Sequence, residues 1–293
     1  MNTSKTIVFF GTDDFSAVSL RQLIKDGFSI ATVVTKPDRR RGRGQSLLPP
    51  LVKTIAIENN IPVLQPNKLL EIYSDLEKLD NPTGVLVSFG KIVPQSIIDL
   101  FSPGIINVHP SLLPRYRGPS PIEAAIISGD RETGVSIMQL SAAMDAGPIY
   151  DQTRTPLYGT ETTPELEQAL GRIGAERLST ILPDIMDGRL QPTPQNDTEA
   201  TYCHLLQKSD SILDPRDVTA VEAERRVRAH IAFPRTKITI LDQQIIITRA
   251  HVTNEITGPL DIACKDGILA IDELINTNGK KINAQSFING LNG

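Results

Sequence analysis

The chain has 293 residues, more than a single hydrophobic core usually organises, so its length favours two domains. Its composition, 40% hydrophobic and 22% charged, is that of a folded globular protein and excludes a disordered chain. Because 34 acidic side chains outnumber 30 basic ones, any contact with nucleic acid requires a local basic patch. The two cysteines, Cys203 and Cys264, exclude a disulfide framework and a cysteine-rich zinc cluster.

The beginning of the chain predicts a first strand and not a targeting segment. Its apolar stretch is short and runs at once into Gly-Thr-Asp-Asp, unlike a signal peptide. No apolar run approaches the roughly 18 residues that a membrane span requires. We therefore expect a cytoplasmic protein with no membrane partner.

Five short apolar runs in the first 200 residues predict buried strands, because each has the length of a strand and turn residues nearby. They are Thr6–Phe10, Ile30–Val34, Val85–Phe89, Ile105–Val108 and Val135–Leu140. Helical patterns alternate with these runs, which is typical of a doubly wound α/β sheet.

Two of the helices carry end signals. The first, between the first two strands, is closed by Gly27 at the position after its C-cap. The second follows Ser120, which is a predicted N-cap, with Pro121 at the first helical position. Glu123, three residues after Ser120, completes a predicted capping box.

A third helix begins around Thr163, and Pro183 should kink or split it before Gly188.

The last third of the chain predicts a second domain. A polar, proline-bearing stretch over Gln191–Ala200 is typical of a linker. Beyond it the pattern predicts one helix, Asp217–Ala229, and strands over Lys237–Leu241, Ile245–Ala250 and Ile268–Ile271, which suggest a small β-barrel or sandwich. The predicted domain limits are 1–190 and 206–293, joined by a linker over 191–205.

The densest chemical feature is the segment from Ile105 to Pro121. Asn107 and His109 lie two residues apart on a strand, so both side chains point to the same face of the sheet. Ligands of open α/β sheets bind at the carboxyl ends of the strands, where this pair is expected. An amide beside an imidazole can stabilise the oxyanion that forms when a nucleophile attacks a carbonyl. The alternative is a structural pair that caps a loop.

A second candidate, Asp145, lies in a loop of small residues after the next strand. An acid there could orient His109 in one tautomer and accept a proton from the nucleophile. An ordinary Asx-turn is the alternative interpretation. The other three histidines, His204, His230 and His251, have no partners at ligand spacing, so we predict no metal site.

The third feature is a basic segment, Lys36–Gly44, directly after the second strand. Five of its nine residues are basic, and two glycines predict a mobile loop. Arginine side chains bind phosphates through paired guanidinium N–H groups, and the release of counterions from the nucleic acid favours this binding. A solvated loop is the alternative. Neither this segment nor Gly11-Thr12 has the glycine spacing of a dinucleotide site, which disfavours nicotinamide cofactors.

These segments together resemble the methionyl-tRNA formyltransferase family of folate-dependent formyltransferases. The resemblance is carried by Asn107-x-His109 with Ser-Leu-Leu-Pro-Arg-Tyr-Arg-Gly118, Asp145 in Met-Asp-Ala-Gly, Thr35-Lys-Pro-Asp38, Ser88–Pro94, Glu224–Ala229 and Gly279–Gly290, and it covers nearly the whole chain. It implies a Rossmann-like N-terminal domain followed by a small OB-like β-barrel that helps to hold tRNA.

The resemblance also implies an activity and a set of site residues. The donor would be 10-formyltetrahydrofolate, bound along Ser111, Leu112, Leu113 and Pro114, and the acceptor the α-amine of methionine on initiator methionyl-tRNA. Asn107, His109 and Asp145 would be catalytic. The predicted tRNA contacts of the basic segment are Arg39, Arg40, Arg41 and Arg43.

Two other functions stay open at the level of sequence. The first is a formyltransferase acting on an amino sugar or glycinamide ribonucleotide, which would not need the basic segment or the second domain. The second is a catalytically silent folate- or RNA-binding module, which would have no need for Asn107, His109 and Asp145 together. An assay of formyl transfer from 10-formyltetrahydrofolate to each acceptor distinguishes these two functions from the formylation of methionyl-tRNA.

Overall fold

A computed structural model describes residues 6–41 and 46–291 of the chain. These residues fall into two compact units, and neither unit is continuous in sequence. The first comprises the chain up to Arg117 together with Gly134–Thr155 and Glu167–Tyr202. The second comprises Gly118–Thr133, Pro156–Leu166 and the chain from Cys203 onwards. The domain limits 1–190, 191–205 and 206–293 remain a prediction.

The strands of the described residues are β1 (Ile7–Gly11), β2 (Ile30–Val34), β3 (Arg39–Arg41), β4 (Ser46–Leu48), β5 (Val63–Leu64), β6 (Thr83–Val87), β7 (Ile105–His109), β8 (Glu132–Gln139), β9 (Ile149–Pro156), β10 (Lys237–Ile240), β11 (Gln243–Thr253), β12 (Asp261–Ala263), β13 (Ile268–Ile275) and β14 (Lys281–Asn283). The helices are α1 (Asp14–Lys25), α2 (Leu51–Glu58), α3 (Tyr73–Glu77), α4 (Gln95–Ile98), α5 (Pro121–Ser128), α6 (Thr163–Met186), α7 (Ala220–Ala229) and α8 (Ala284–Leu291).

The first unit is built on a seven-stranded sheet with the strand order β5-β2-β1-β6-β7-β8-β9. Strands β2, β1, β6 and β7 pair in parallel, and β8 pairs with β7 in the antiparallel direction. Every residue of β1, β6 and β7 is buried, which explains why these strands are apolar runs without alternation. The order reverses between β1 and β6, and the carboxyl edge beside such a reversal is where open α/β sheets bind ligands.

The α/β class and all five predicted strands of the first unit are confirmed, with limits that shift by up to three residues. The predicted first helix is also confirmed as α1, and Gly27 follows its C-cap with a φ of +81°. The sequence interpretation missed β5, which has only two residues, and β9, in which every residue from Asp151 to Thr155 is polar.

The capping box predicted at Ser120 is wrong. Ser120 is the N-cap of α5, but its side chain makes no cap hydrogen bond. Its backbone N–H donates instead to Sγ of Cys203, 3.3 Å away, so it is not available to Glu123. Burial raises the pKa of the Glu123 carboxyl, and a hydrogen bond from its own backbone N–H opposes this effect.

Of the two outcomes predicted for Pro183, a kink or a split, the split is wrong, since α6 continues through this residue to Met186. A proline removes one backbone hydrogen bond from a helix. The apolar side chains around it, Ile181, Leu182 and Ile185, are nearly or fully buried, and their packing keeps the last turn helical.

The second unit contains an antiparallel half-barrel that is consistent with the predicted small barrel. Its strands have the order β10-β11-β13-β12, and β14 also pairs with β13. Helix α7 packs on β11 through Ala223 and Val227, which belong to a buried cluster with Ile245 and Leu274. A capping box between Thr219 and the Glu222 backbone and carboxylate starts α7. Helix α8 was not predicted.

His230, the C-cap of α7, is buried in the second unit with neither ring nitrogen hydrogen-bonded among the described residues. Burial and the charge of Arg226 lower the pKa of His230, while Asp210 opposes them. The folded state therefore holds a neutral imidazole, and the unfolded chain takes up the proton first as the pH falls below about 6.5. Stability contributed by this neutral ring is lost on acidification.

We expect the free energy of unfolding to fall by about 1 kcal/mol more in the wild type than in His230→Leu between pH 7.5 and pH 5.5. The measurement is urea unfolding at both pH values. His230→Gln is the matched second variant, because it also replaces the titrating ring with a group that cannot take up the proton, and it should show the same reduced pH dependence as His230→Leu. Equal pH dependence in the wild type and His230→Leu would contradict this account.

Candidate active site

The end of β7 carries the predicted pair Asn107 and His109, and the structure places both in register with neighbouring strands. Asn107 lies opposite Leu86 of β6, and His109 lies opposite Ser136 of β8. The two side chains share one face of the sheet because they are two residues apart. Asn107 is only 6% exposed. A side-chain amide can donate a hydrogen bond, so this group is suited to bind a ligand oxygen at the carboxyl edge of the sheet.

The imidazole of His109 is held by a backbone carbonyl. Its Nε2 lies 2.9 Å from the carbonyl oxygen of Tyr116. A carbonyl only accepts, so Nε2 carries the hydrogen and, in the neutral ring, Nδ1 keeps its lone pair. Nδ1 lies 3.7 Å from Oδ2 of Asp145, which is an ion-pair distance for a protonated ring and too long for a hydrogen bond. The ring is thus set to take a proton on the nitrogen that faces Asp145.

Hydrogen bonds to Thr201 fix the backbone on both sides of the Tyr116 carbonyl. Tyr116 has a φ of +57°, in the left-handed region that few residues other than glycine adopt. Its N–H donates to Oγ1 of Thr201, and the N–H of Arg117 donates to the Thr201 carbonyl, both at 2.9 Å. The Thr201 N–H donates to the carbonyl of Pro114. Residues of the predicted linker therefore pack against the active-site segment, which sequence patterns did not indicate.

Asp145 lies in the loop that follows β8, where its φ is +48°. Its side chain is 17% exposed, so the carboxylate is only partly shielded from water. The loop turns closely over the end of β8 at Gly147, where a Cβ atom would lie 1.8 Å from the carbonyl oxygen of Gln139. Glycine is required there because any side chain would displace the loop that carries Asp145.

The segment predicted to bind folate, Ser111–Pro114, follows His109 directly. Ser111 is fully buried and its Oγ donates to the carbonyl of Arg115, 2.6 Å away. Leu113 is also buried, and its N–H donates to Oγ of Ser136, which donates in turn to the Ser111 carbonyl. Leu112 and Pro114 are half-buried. The Ser111 side chain, the Leu113 backbone and the Ser136 hydroxyl therefore fix the turn, while Leu112 and Pro114 keep part of their surface exposed.

A cavity of about 240 Å³ lies at the carboxyl ends of β1, β2 and β6. Thr12, Asp13, Lys36, Arg39 and Ser88 line it. Its wall is ordered by hydrogen bonds from Ser88 Oγ to Asp13 and from Thr12 Oγ1 to the Phe89 carbonyl. Burial, followed by the charge of Arg39, lowers the pKa of the Lys36 ammonium. This cavity, which sequence reasoning did not identify, is part of the same sheet edge as Asn107 and His109.

Part of the basic segment forms a strand, whereas Gly42 and Gly44, on which the prediction of a mobile loop rested, lie outside the described residues. Strand β3, formed by the arginines at 39–41, pairs with β4 in an antiparallel hairpin. The side chains of Arg39 and Arg40 are exposed. Before the hairpin, Asp38 accepts hydrogen bonds from Lys53 and from Gln65, which anchor its base. Arg43 lies outside the described residues.

Among the residues that the structure describes, no group of three or more histidine, cysteine or acidic side chains is arranged to hold a metal ion. No helix within these residues combines the length and the apolar character needed to cross a membrane.

Comparison with known sequences gives matches along almost the whole chain. The formyl transferase family model matches residues 4–182, and the formyl transferase C-terminal domain model matches residues 205–292. The chain is 35% identical over 300 residues to the methionyl-tRNA formyltransferase of Pelobacter propionicus, covering 98% of this chain and 94% of the relative. The methionyl-tRNA formyltransferase of Stutzerimonas stutzeri is 37% identical over 288 residues, or 94% and 91% of the two chains.

Solved structures share the fold at lower identity. An N-formyltransferase of Helicobacter canadensis, solved with folinic acid and dTDP-3-aminofucose, has a TM-score of 0.68 at 22% identity and covers 92% of this chain and 98% of that one. HypX of Aquifex aeolicus, solved with tetrahydrofolic acid, has a TM-score of 0.64 at 17% identity. That match covers 96% of this chain and 46% of HypX, so the present chain spans about half of the larger protein.

Proposed function

Because the chain belongs to the methionyl-tRNA formyltransferase family, we propose that it transfers the formyl group of 10-formyltetrahydrofolate to the α-amine of methionine on initiator methionyl-tRNA. The observation that carries the chemistry is the nearly buried amide of Asn107 beside a histidine whose Nε2 donates to a backbone carbonyl, both at the carboxyl edge of the sheet. Its setting is the start of translation, and we place the protein in the cytoplasm on that ground.

The reaction forms one carbon–nitrogen bond and breaks another. The amine nitrogen attacks the formyl carbon, and the carbonyl electrons move onto oxygen. Asn107 donates its amide N–H to this oxygen, where negative charge develops, so the interaction strengthens towards the transition state. Collapse breaks the bond to the folate nitrogen, which takes up a proton as the amine loses one.

His109 accepts the proton that the amine loses, and Asp145 stabilises the charge that results. The lone pair on Nδ1 of His109 accepts it from the attacking amine, because Nε2 is already occupied by the Tyr116 carbonyl. The resulting imidazolium faces the Asp145 carboxylate at 3.7 Å, which stabilises its charge. The protonated ring can then return the proton to the leaving nitrogen.

For the donor we retain Ser111, Leu112, Leu113 and Pro114 as the contacting segment. The buried side chains of Ser111 and Leu113 hold the turn rigid, so the contacts to folate would come from the partly exposed Leu112 and Pro114. The chemistry that the folate supplies is an activated formyl group on nitrogen. No metal takes part in the proposal.

For the acceptor we assign the tRNA phosphates to Arg39, Arg40, Arg41 and Arg43. Arg39 both begins the hairpin and lines the cavity, so the basic hairpin adjoins the sheet edge that carries the reacting groups. The net charge of the whole chain is −4, and a local basic hairpin is therefore what an RNA of high negative charge requires. An amino sugar or a glycinamide ribonucleotide has too few phosphates to need it.

Replacing Arg39, Arg40, Arg41 and Arg43 together with alanine should raise the apparent KM for charged tRNA at least tenfold, while the KM for 10-formyltetrahydrofolate stays within twofold. The reason is that the hairpin contacts only the second substrate. Each lost phosphate contact should also flatten the log–log dependence of tRNA binding on salt by about 0.7–0.9. Steady-state kinetics and filter binding from 50 to 200 mM salt measure both effects.

The matched control removes the same charge elsewhere in the first unit. Arg21, Lys25, Lys78 and Arg172 are exposed and do not line the cavity. Their replacement with alanine should leave the tRNA KM nearly unchanged. If the hairpin variant behaves like this control, the hairpin is a solvated turn and a small amine becomes the leading acceptor.

A further inference from the structure

We propose that Gln195, in the stretch after α6 that resembled a plain linker, is a positioning residue that holds the Asp145 loop in its reactive conformation. The inference rests on the proposed role of Asp145. It assigns a function in catalysis to a side chain that contacts neither His109 nor Asn107 through any hydrogen bond in the structure.

The side-chain amide of Gln195 binds two carbonyls of the loop at once. Its Nε2 lies 2.8 Å from the carbonyl oxygen of Asp145 and 2.7 Å from that of Gly147. Both amide hydrogens are thereby used, one on each side of residue 146. The two bonds fix the backbone at the residue whose side chain faces His109.

This restraint acts where the backbone is strained. Asp145 has a φ of +48°, and a residue other than glycine keeps such a conformation only when its surroundings determine it. Without the two bonds from Gln195, the loop would lose a constraint on its φ and ψ angles. The carboxylate would then spend less time at 3.7 Å from Nδ1 of His109.

A guanidinium sets the orientation of the amide. Arg117 donates from Nε and Nη2 to Oε1 of Gln195, at 3.1 and 2.8 Å. An arginine has donors only, so Oε1 must face it and Nε2 must face the loop. Arg117 is 2% exposed, and its Nη2 also donates to Asp197, 2.6 Å away. A buried cation thus keeps Gln195 from rotating its amide.

Two substitutions separate positioning from folding. Gln195→Glu keeps an oxygen for Arg117 but replaces both donors with an acceptor that repels the carbonyls of Asp145 and Gly147. Gln195→Ala removes the whole amide. We expect kcat to fall about tenfold in Gln195→Ala and at least as much in Gln195→Glu, with the KM values for both substrates within threefold and the thermal midpoint of Gln195→Glu close to that of the wild type.

Gln191→Ala is the matched control. Gln191 lies four residues earlier, is exposed, and donates to the carbonyl of Gly188 at the end of α6. Its replacement should leave kcat unchanged. A merely structural role for Gln195 predicts instead a lower thermal midpoint and an unchanged kcat per folded molecule.

The double variant Gln195→Ala with Asp145→Asn tests whether Gln195 affects kcat through Asp145. If Gln195 acts through Asp145, its removal should lower kcat by less than twofold once Asp145 is asparagine, since residues that act as a unit are non-additive. The inference would be overturned if the fold-losses of kcat in the two single variants multiplied in the double variant. It would also be overturned if kcat were unchanged in the single Gln195 variants. An inactive wild type would contradict the proposed function instead, so the two failures are distinguishable.

Discussion

Asn107→Ala should lower kcat by about 10²–10³, the loss that follows removal of one oxyanion donor in other enzymes. The side chain donates to an oxygen whose negative charge is largest in the transition state, so its removal costs little in the ground state. The dissociation constant for the folate donor should therefore change by less than about threefold. Stopped-flow folate binding and steady-state transfer, both on the same preparation, measure the two quantities.

Asn107→Asp is the stricter variant, because it keeps the size of the side chain and removes the donor. A carboxylate at this position also repels the developing oxyanion, so its kcat should be no higher than that of Asn107→Ala. Parallel losses of folate affinity and kcat in either variant would show that Asn107 is a binding residue.

Asp145→Asn should lower kcat by about 10²-fold, at the lower limit of what general acid–base catalysis contributes. Asparagine keeps the shape of the side chain but cannot stabilise the imidazolium that forms on His109 across the 3.7 Å separation. The loop itself should stay in place, because Gln195 binds the backbone carbonyl of residue 145 and not its side chain.

Three measurements on Asp145→Asn define the outcome. The far-ultraviolet circular dichroism and the thermal midpoint should match those of the wild type, which shows that the fold is intact. The value of kcat at pH 7.5 then reports the chemistry. Near-normal turnover would remove the proposed pairing of Asp145 with His109.

Local sequence signals predicted the part of the site that lies on a single strand, β7. Asn107 and His109 are two residues apart on a buried run, so the period of a strand places them on one face without any tertiary information. The buried strands of the parallel sheet were found because each is a short, continuous apolar run. Capping signals located the end of α1 and the start of α5, but not the hydrogen bonds at Ser120, because its backbone N–H donates to Cys203, 83 residues away.

What the sequence could not predict depends on partners distant in the chain. Tyr116 and Gln195 act through a backbone carbonyl and an amide, and such groups leave no pattern in a single sequence. Gln195 stands 50 residues from Asp145 in a stretch whose prolines and polar residues are those of any linker. The hairpin at Arg39–Arg41 is another case, since it forms by pairing with Ser46–Leu48 and not from strand propensity.

The most direct test of the central claim follows a labelled formyl group to its acceptor. The wild-type protein is incubated with 10-[¹⁴C]formyltetrahydrofolate and, in separate reactions, with initiator methionyl-tRNA, an amino-sugar nucleotide and glycinamide ribonucleotide. We predict that label appears on the α-amine of methionine, recovered after the tRNA ester is hydrolysed, with a kcat/KM at least 10³-fold higher than for either small amine. Label on a small amine with none on methionyl-tRNA, or label released only as formate, would contradict the account.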